Sequence, residues 1–322
     1  MLRHSTAFGV SILKTGIKGI HGATAVAITA GAVLAAGAFT ATAQAAPARA
    51  ATQGTVQAAT LTAPSIVAKG GYVMNNGTGK TLYTKAADTR RSTGSTTKIM
   101  TARVVLAQKN LNLDSKVTIQ KAYSDYIVAN NYASSARLIV GDKVTVRQLL
   151  YGLMLPSGCD AAYALADKFG TGSTRSARVK SFIAQMNTTA KNLGLKNTHF
   201  DSFDGIGHGA NYSTPRDLTK LASNAMKYST FRTIVKTKST KQKVTTKSGG
   251  YRYMEWSNTN NLLGSYSGTI GVKTGSGPEA KYCLVFAATR NGKTVIGTVL
   301  ASSSASQRAT DAKKLMDYGF KK

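Results

Sequence analysis

Histidine is scarce in this chain of 322 residues, at four, and cysteine scarcer, at two. His4 and His21 lie near the N-terminus, and His199 and His208 have neither metal-ligand spacing nor a G-x-S-x-G or Ser-His-Asp setting. That argues against a zinc site and against a histidine-based hydrolase, and no cofactor or metal is expected. Cys159 and Cys283 allow one disulfide or two free thiols, and both readings stand at this point. Acid is also short, with 13 Asp and Glu against 42 Lys and Arg and a net charge of +29. The lysines are spread among Ser and Thr and do not cluster with stacking aromatics, which argues against nucleic acid as a partner. No internal repeat is visible.

Long apolar runs are missing except near the N-terminus. Arg3, Lys14 and Lys18 precede an alanine-rich core over 25–39, and Ala43-Gln44-Ala45 offers a small-x-small cleavage site. Thr29, Gly31 and Gly37 interrupt that core, and no second run of about 20 apolar residues follows. Residues 1–45 therefore read as a secretory signal, 46–64 as an Ala/Thr-rich linker, and 65–322 as the working domain. An exported chain of this charge is expected to meet anionic wall polymers or a membrane surface. Membrane contact would come from the basic surface, since no covalent anchor motif is evident at the C-terminus.

Within 65–322 the pattern is mixed. Strands are expected over 65–74 and 81–85, joined by turn residues Asn75 to Gly79. A helix follows from Ser95. Residues 110–235 read as mostly helical, including 146–155, 160–169 and 182–193, and Pro215 sits near the first turn of another helix. Residues 236–253 read as an extended basic ribbon. Strands return at 269–274, then at 281–290 and 293–301 across Asn291-Gly292, and 305–318 closes as a helix. The expected class is α+β: an antiparallel sheet from 65–109 and 265–322, flanked by helices, with a mainly helical region inserted over 110–264.

Chemistry begins at Ser95-Thr96-Thr97-Lys98. A serine hydroxyl needs a neighbouring base, and residues three apart share a helix face, so Lys98 can reach the Ser95 oxygen. The pattern alone is common; Ser11-Ile12-Leu13-Lys14 has it too. A serine/lysine acyl-transfer site also needs a second hydroxyl to relay protons, a cation for a substrate carboxylate, and N–H donors for an oxyanion. Ser157-Gly158-Cys159 offers the hydroxyl between two helices. Lys273-Thr274-Gly275-Ser276 offers the cation at the end of an apolar strand. Lys247-Ser248-Gly249 has the same form, but it lies in a polar ribbon and reads as solvated surface.

Taken in this order, the three segments resemble the active-site-serine penicillin-binding DD-peptidases, most closely the low-molecular-mass D-alanyl-D-alanine carboxypeptidases of the S11 family. Stretches such as Ser213-Thr214-Pro215-Arg216-Asp217-Leu218 and Asn258-Thr259-Asn260-Asn261-Leu262-Leu263 extend the likeness from about Ser65 to Phe320. The resemblance implies a five-stranded sheet flanked by helices. Ser95 would be acylated, Lys98 would be its base, and Ser157 would pass a proton to the departing D-alanine. Lys273, Thr274, Gly275 and Ser276 would hold the substrate carboxylate, with Arg308 as a further cation, and Lys273 would keep the field around Lys98 positive. The N–H groups of Ser95 and Ser276 would face the oxyanion. The substrates implied are peptidoglycan stem peptides ending in D-Ala-D-Ala, with β-lactams as inhibitors. Cys159 falls with the substrate-binding residues in this resemblance, but it departs from the family's S-x-N and is similar to a subset of actinobacterial DD-transpeptidases with Ser-Gly-Cys, which favour transfer to an amine. Two other readings are a serine β-lactamase and a non-catalytic wall-binding protein. Against the first, Glu255 and Glu279 are the only glutamates, and neither follows Ser157 where a deacylating base would sit.

Overall fold

Apolar residues alternate along the strands near both ends of the domain, and a computed structural model of the chain joins those strands into one sheet. It describes residues 61–322 apart from Tyr132 and His208; the signal read over 1–45 and most of the linker lie outside the described residues. The strands are β1 (Gly70–Asn75), β2 (Thr81–Lys85), β3 (Lys116–Thr118), β4 (Lys143–Thr145), β5 (Ser239–Thr245), β6 (Tyr251–Ser257), β7 (Thr269–Gly277), β8 (Lys281–Arg290) and β9 (Lys293–Ser302). The helices are α1 (Lys98–Leu106), α2 (Lys121–Ala129), α3 (Val146–Met154), α4 (Cys159–Phe169), α5 (Arg175–Asn192), α6 (Pro215–Ala225), α7 (Ser229–Lys236) and α8 (Ala305–Lys321).

The main sheet has the order β2-β1-β9-β8-β7 and is antiparallel throughout, as expected. Asn291 and Gly292 both take positive φ, which lets the β8–β9 turn close in two residues. Both faces of this sheet are buried, and β8 shows how. Leu284, Phe286 and Ala288 join a cluster with Ala312, Leu315 and Met316 of α8. Val285 and Ala287, one residue out of phase, join the larger core with Ile99 and Val105 of α1 and Leu218 and Ala222 of α6. Each fully buried Phe or Leu contributes about 1.5–3 kcal/mol, so this two-sided burial is a main source of stability. Arg308 and Asp311 of α8 are the charged exceptions on the buried side. Asp311 accepts from Val67 N, Ala68 N, Ser302 Oγ and Gln307 Nε2, which ties the incoming chain to the helix.

Local signals place the helix starts. The Thr145 side chain accepts from Gln148 N while the Gln148 side chain accepts from Thr145 N, a capping box that starts α3. Thr214 accepts from Asp217 N, and Pro215 fills the first turn of α6, where its missing N–H costs nothing. Between the α-helices lies a second sheet, of order β3-β4-β5-β6. Val117, Val144, Val244, Met254 and Trp256 face inward from it and are buried. The mainly helical reading of 110–264 contains the ribbon β5–β6 but not β3 and β4. At three residues each, those strands are too short to show a period-two pattern. Among the described residues no helix is long and apolar enough to cross a membrane.

Candidate active site

Ser95 lies in a 3₁₀ turn, Gly94–Thr97, that runs directly into α1 at Lys98. Side chains three apart eclipse in a 3₁₀ turn, so Lys98 stands over Ser95 more directly than an α-helix would place it. Lys98 is fully buried, and its Nζ is 2.9 Å from Ser95 Oγ, 3.1 Å from the Asp204 carbonyl oxygen and 3.3 Å from Cys159 Sγ. A hydroxyl network fixes the turn. Thr93 and Thr97 hydroxyls are 2.8 Å apart, and Asn211 Nδ2 donates to both, at 2.7 and 3.0 Å.

Two glycines let other segments close on this turn. A Cβ on Gly205 would stand 2.0 Å from the Gly94 carbonyl oxygen, and Gly205 has φ +93. On the other side, a Cβ on Gly275 would meet the Thr93 carbonyl oxygen at 2.7 Å and Thr96 N at 3.0 Å. Backbone approach of this kind is open only to glycine.

Ser157 occupies the loop between α3 and α4 in a left-handed conformation, φ +66. Its backbone is clamped: Ser134 Oγ donates to Ser157 O at 2.7 Å, and Cys159 N donates to Ser134 O at 2.8 Å. The neighbouring Asp160 carboxylate accepts from Ser135 Oγ, Ala136 N, Leu138 N and Ala161 N, locking segment 134–138 to the start of α4. The Ser157 hydroxyl oxygen is buried and has no protein partner among the described residues. A side chain held in strained backbone with its polar atom uncommitted fits a proton carrier better than a cap.

β7 forms the third wall. Lys273 is buried, and its Nζ donates to its neighbour's carbonyl, Thr274 O, at 3.1 Å. Thr274 Oγ1 is 2.6 Å from Thr259 Oγ1, and Ser276 is exposed at the rim. Arg308 reaches up from α8 and donates from Nη1 to Gly275 O and Cys283 O, at 3.2 and 3.3 Å. It therefore grips the backbone of the strand that carries the motif. Beside this strand a cavity of about 260 Å³ opens between Gly94, Gly205, Gly207, Asn211, Ser276 and Glu279.

The electrostatics follow from burial. Desolvation, then the charge of Lys98, hold the Lys273 amine well below the ordinary lysine range. Burial pushes the Cys159 thiol up to about 11 even though Lys98 pulls the other way, so it stays a neutral thiol at pH 7. Burial also lowers Arg308 from its ordinary value.

The three segments read from the sequence thus converge on one cleft, while Lys247 is exposed in the β5–β6 turn. Cys159, read as a substrate-binding position, is fully buried against Lys98, so its thiol touches the Lys98 amine and does not line the open cavity. Both cysteines are free and buried, which settles the disulfide alternative against pairing. Sequence reasoning missed Ser134, Asp204, Asn211 and Thr259, which hold the motif residues from outside the motifs. The available signals were that 204–209 is rich in glycine and that Thr259 lies in the family-like stretch 258–263, and neither names a partner.

The profile of the S11 peptidase family, D-alanyl-D-alanine carboxypeptidase, matches residues 57–304. The chain is 72% identical over 299 residues to the D-alanyl-D-alanine carboxypeptidase of Streptomyces sp. (strain K15), covering 92% of this chain and 98% of that protein. It is 33% identical to DacF of Bacillus subtilis (strain 168) over 254 residues, which is 79% of this chain and 62% of DacF. The crystal structure of the Streptomyces K15 DD-transpeptidase superposes with a TM-score of 0.80 at 79% identity, covering 81% of this chain and 100% of that one. The described unit of this chain therefore corresponds to an entire crystallised protein. With its three converging motifs and these relatives, the chain belongs to the S11 family and is a serine-type D-alanyl-D-alanine carboxypeptidase/transpeptidase.

Proposed function

We propose that Ser95 is the residue acylated by peptidoglycan stem peptides ending in D-Ala-D-Ala. In the first step Ser95 Oγ attacks the carbonyl carbon of the penultimate D-alanine and its proton passes to Lys98 Nζ. Backbone N–H groups of Ser95 and Ser276 face the oxygen that becomes negative. Ser157 then delivers a proton to the departing amine, terminal D-alanine leaves, and the acyl group remains on Ser95. Lys273, Thr274 and Ser276 hold the terminal carboxylate until that point, and Arg308 supports them through the backbone of β7. An amine or water next attacks the ester, giving a new amide or the free acid, and the proton returns through the same groups.

The observation that carries this reading is the 2.9 Å approach of Lys98 Nζ to Ser95 Oγ on consecutive turns of the chain. Ser95→Ala should abolish both D-alanine release and covalent labelling by penicillin while leaving the fold unchanged. Retained labelling in that variant would reject Ser95.

β-Lactams are proposed to acylate the same serine and to leave slowly. Glu255 lies on the exposed face of β6, paired with Lys241 at 3.0 Å, and cannot activate water in the cleft. Glu279 does line the cavity, at its exposed rim. Its carboxylate suits attraction of an acceptor ammonium towards a cleft otherwise dominated by lysine and arginine. Glu279→Gln should therefore lower the ratio of amide to free-acid product with glycine-type acceptors, without speeding or slowing penicillin release. Export, with residues 1–45 removed, completes the proposal, because peptidoglycan lies outside the cytoplasmic membrane.

A further inference from the structure

The second sheet has one face buried on the helices and one face bare. In antiparallel strands, paired residues share a face, and the register here sets out what the bare face carries. Lys116 pairs with Thr145, Thr118 with Lys143, Lys143 with Thr245, Thr245 with Tyr251, Lys243 with Tyr253, and Lys241 with Glu255. The exposed surface of β3-β4-β5-β6 thus presents four lysines, two tyrosines and one glutamate among threonines. Tyr251 and Tyr253 are 60% and 54% exposed, with ring centroids 5.8 Å apart. Lys243 Nζ stands 3.9 Å from the Tyr251 ring centre, and Lys241 Nζ 5.0 Å from that of Tyr253.

Two exposed aliphatic side chains lie at one end of this sheet. Ile139 and Val140, 41% and 46% exposed, lie in the loop before β4. The next residue, Gly141, packs against the Lys247 side chain in the β5–β6 turn, so this loop and Tyr251 lie at the same end of the sheet. Lysines gathered on one side of a sheet repel one another, and large apolar groups in water gain nothing. The two features together make sense against a surface that is both anionic and apolar.

We propose that this sheet face docks the protein on the surface of an anionic phospholipid bilayer. Lysines would meet the phosphates, the tyrosine rings would sit at headgroup level, and Ile139 and Val140 would enter the acyl boundary. A water-soluble polyol-phosphate polymer would match the lysines but leave the four apolar groups exposed, which favours lipid over polymer.

The test uses residues 58–322, the compact unit whose counterpart is the complete crystallised chain of the Streptomyces K15 enzyme. Co-sedimentation is measured with vesicles of equal phosphatidylglycerol and phosphatidylcholine, and with phosphatidylcholine alone. Binding is expected only to the anionic vesicles, falling as salt rises. A lysine near such a surface is worth about fivefold in partitioning, so Lys116→Glu with Lys243→Glu should weaken it by about 25-fold or more. Tyr251→Ser with Tyr253→Ser should weaken it while leaving the salt dependence intact. Penicillin labelling and thermal unfolding of both variants should match the parent, since neither pair touches the cleft. Equal binding to neutral vesicles, unchanged binding by the charge-reversed variant, or capture by a soluble polyol-phosphate polymer without vesicle binding would each overturn the proposal. No donor peptide enters this assay, so its failure is distinct from failure of the acyl-transfer reading.

Discussion

Lys98 Nζ rests 3.3 Å from Cys159 Sγ, so the amine beside Ser95 leans on a neutral thiol where the family's second motif carries an amide. A thiol is a weak hydrogen-bond partner, and it leaves the amine's other two contacts, Ser95 Oγ and Asp204 O, as the stronger ones.

Cys159→Ala should therefore cost little. Losing one weak contact of a buried amine is worth about 1 kcal/mol, or roughly a five- to tenfold drop in acylation rate, with the fold retained. Stopped-flow acylation by a fluorescent penicillin reads this directly. A loss of several hundredfold would mean that the thiol takes part in proton transfer.

The role proposed for Lys273 predicts an alkaline limit. Its amine is held well below the ordinary value of 10.5, so it gives up its proton, and its hold on a carboxylate, at lower pH than a surface lysine would. The folded chain binds this proton less tightly than the unfolded chain. Stability consequently rises with pH through the window between the lowered value and 10.5, while kcat/KM for carboxylate-ended donors falls there. Lys273→Arg keeps its charge and should carry that limb to higher pH in a pH–rate profile.

Asp160 supports Ser157 from behind. Asp160→Ala would leave the buried N–H groups of Ala136 and Leu138 without an acceptor, at a cost of about 1–3 kcal/mol each. Denaturant unfolding should show that loss. Acylation should fall as well, because segment 134–138 holds the Ser157 carbonyl through Ser134. Asp160→Asn keeps one acceptor and should lose less of both.

Gly205 packs against the turn that carries Ser95. A methyl group there collides with the Gly94 carbonyl and also strains a backbone at φ +93. Gly205→Ala should lower acylation by about 10²-fold, the usual effect of moving a reacting group by an ångström, while thermal unfolding shifts by only a few degrees. A stable variant with full activity would show that the loop yields and the turn does not depend on it.

Much of this site was legible because its chemistry is local. Ser95 and Lys98 are three residues apart, Lys273 ends an apolar strand, and Asn291-Gly292 announces its own hairpin. Lys247 could be set aside because its flanks are polar. What stayed hidden was non-local or short. Asp204 serves through a backbone carbonyl, which any residue type would provide, so its sequence carries no mark of the role. Asn211 and Ser134 work across large sequence separations, and Arg308 acts on the backbone of β7 through a contact that helix periodicity cannot specify. β3 and β4 have only three residues each; they pair with each other, and β4 meets the longer ribbon through Lys143 and Thr245.

The turn bearing Ser95 is walled by Gly205 on one side and Gly275 on the other, segments separated from it by more than a third of the chain. Neither wall exists until the helices of the middle region and the C-terminal strands have both come home. A chain halted partway through folding would thus carry its serine and lysine and still be inert. On the proposed acyl-transfer reading, covalent uptake of a β-lactam becomes a census of finished molecules and follows the folding of this enzyme without any other label.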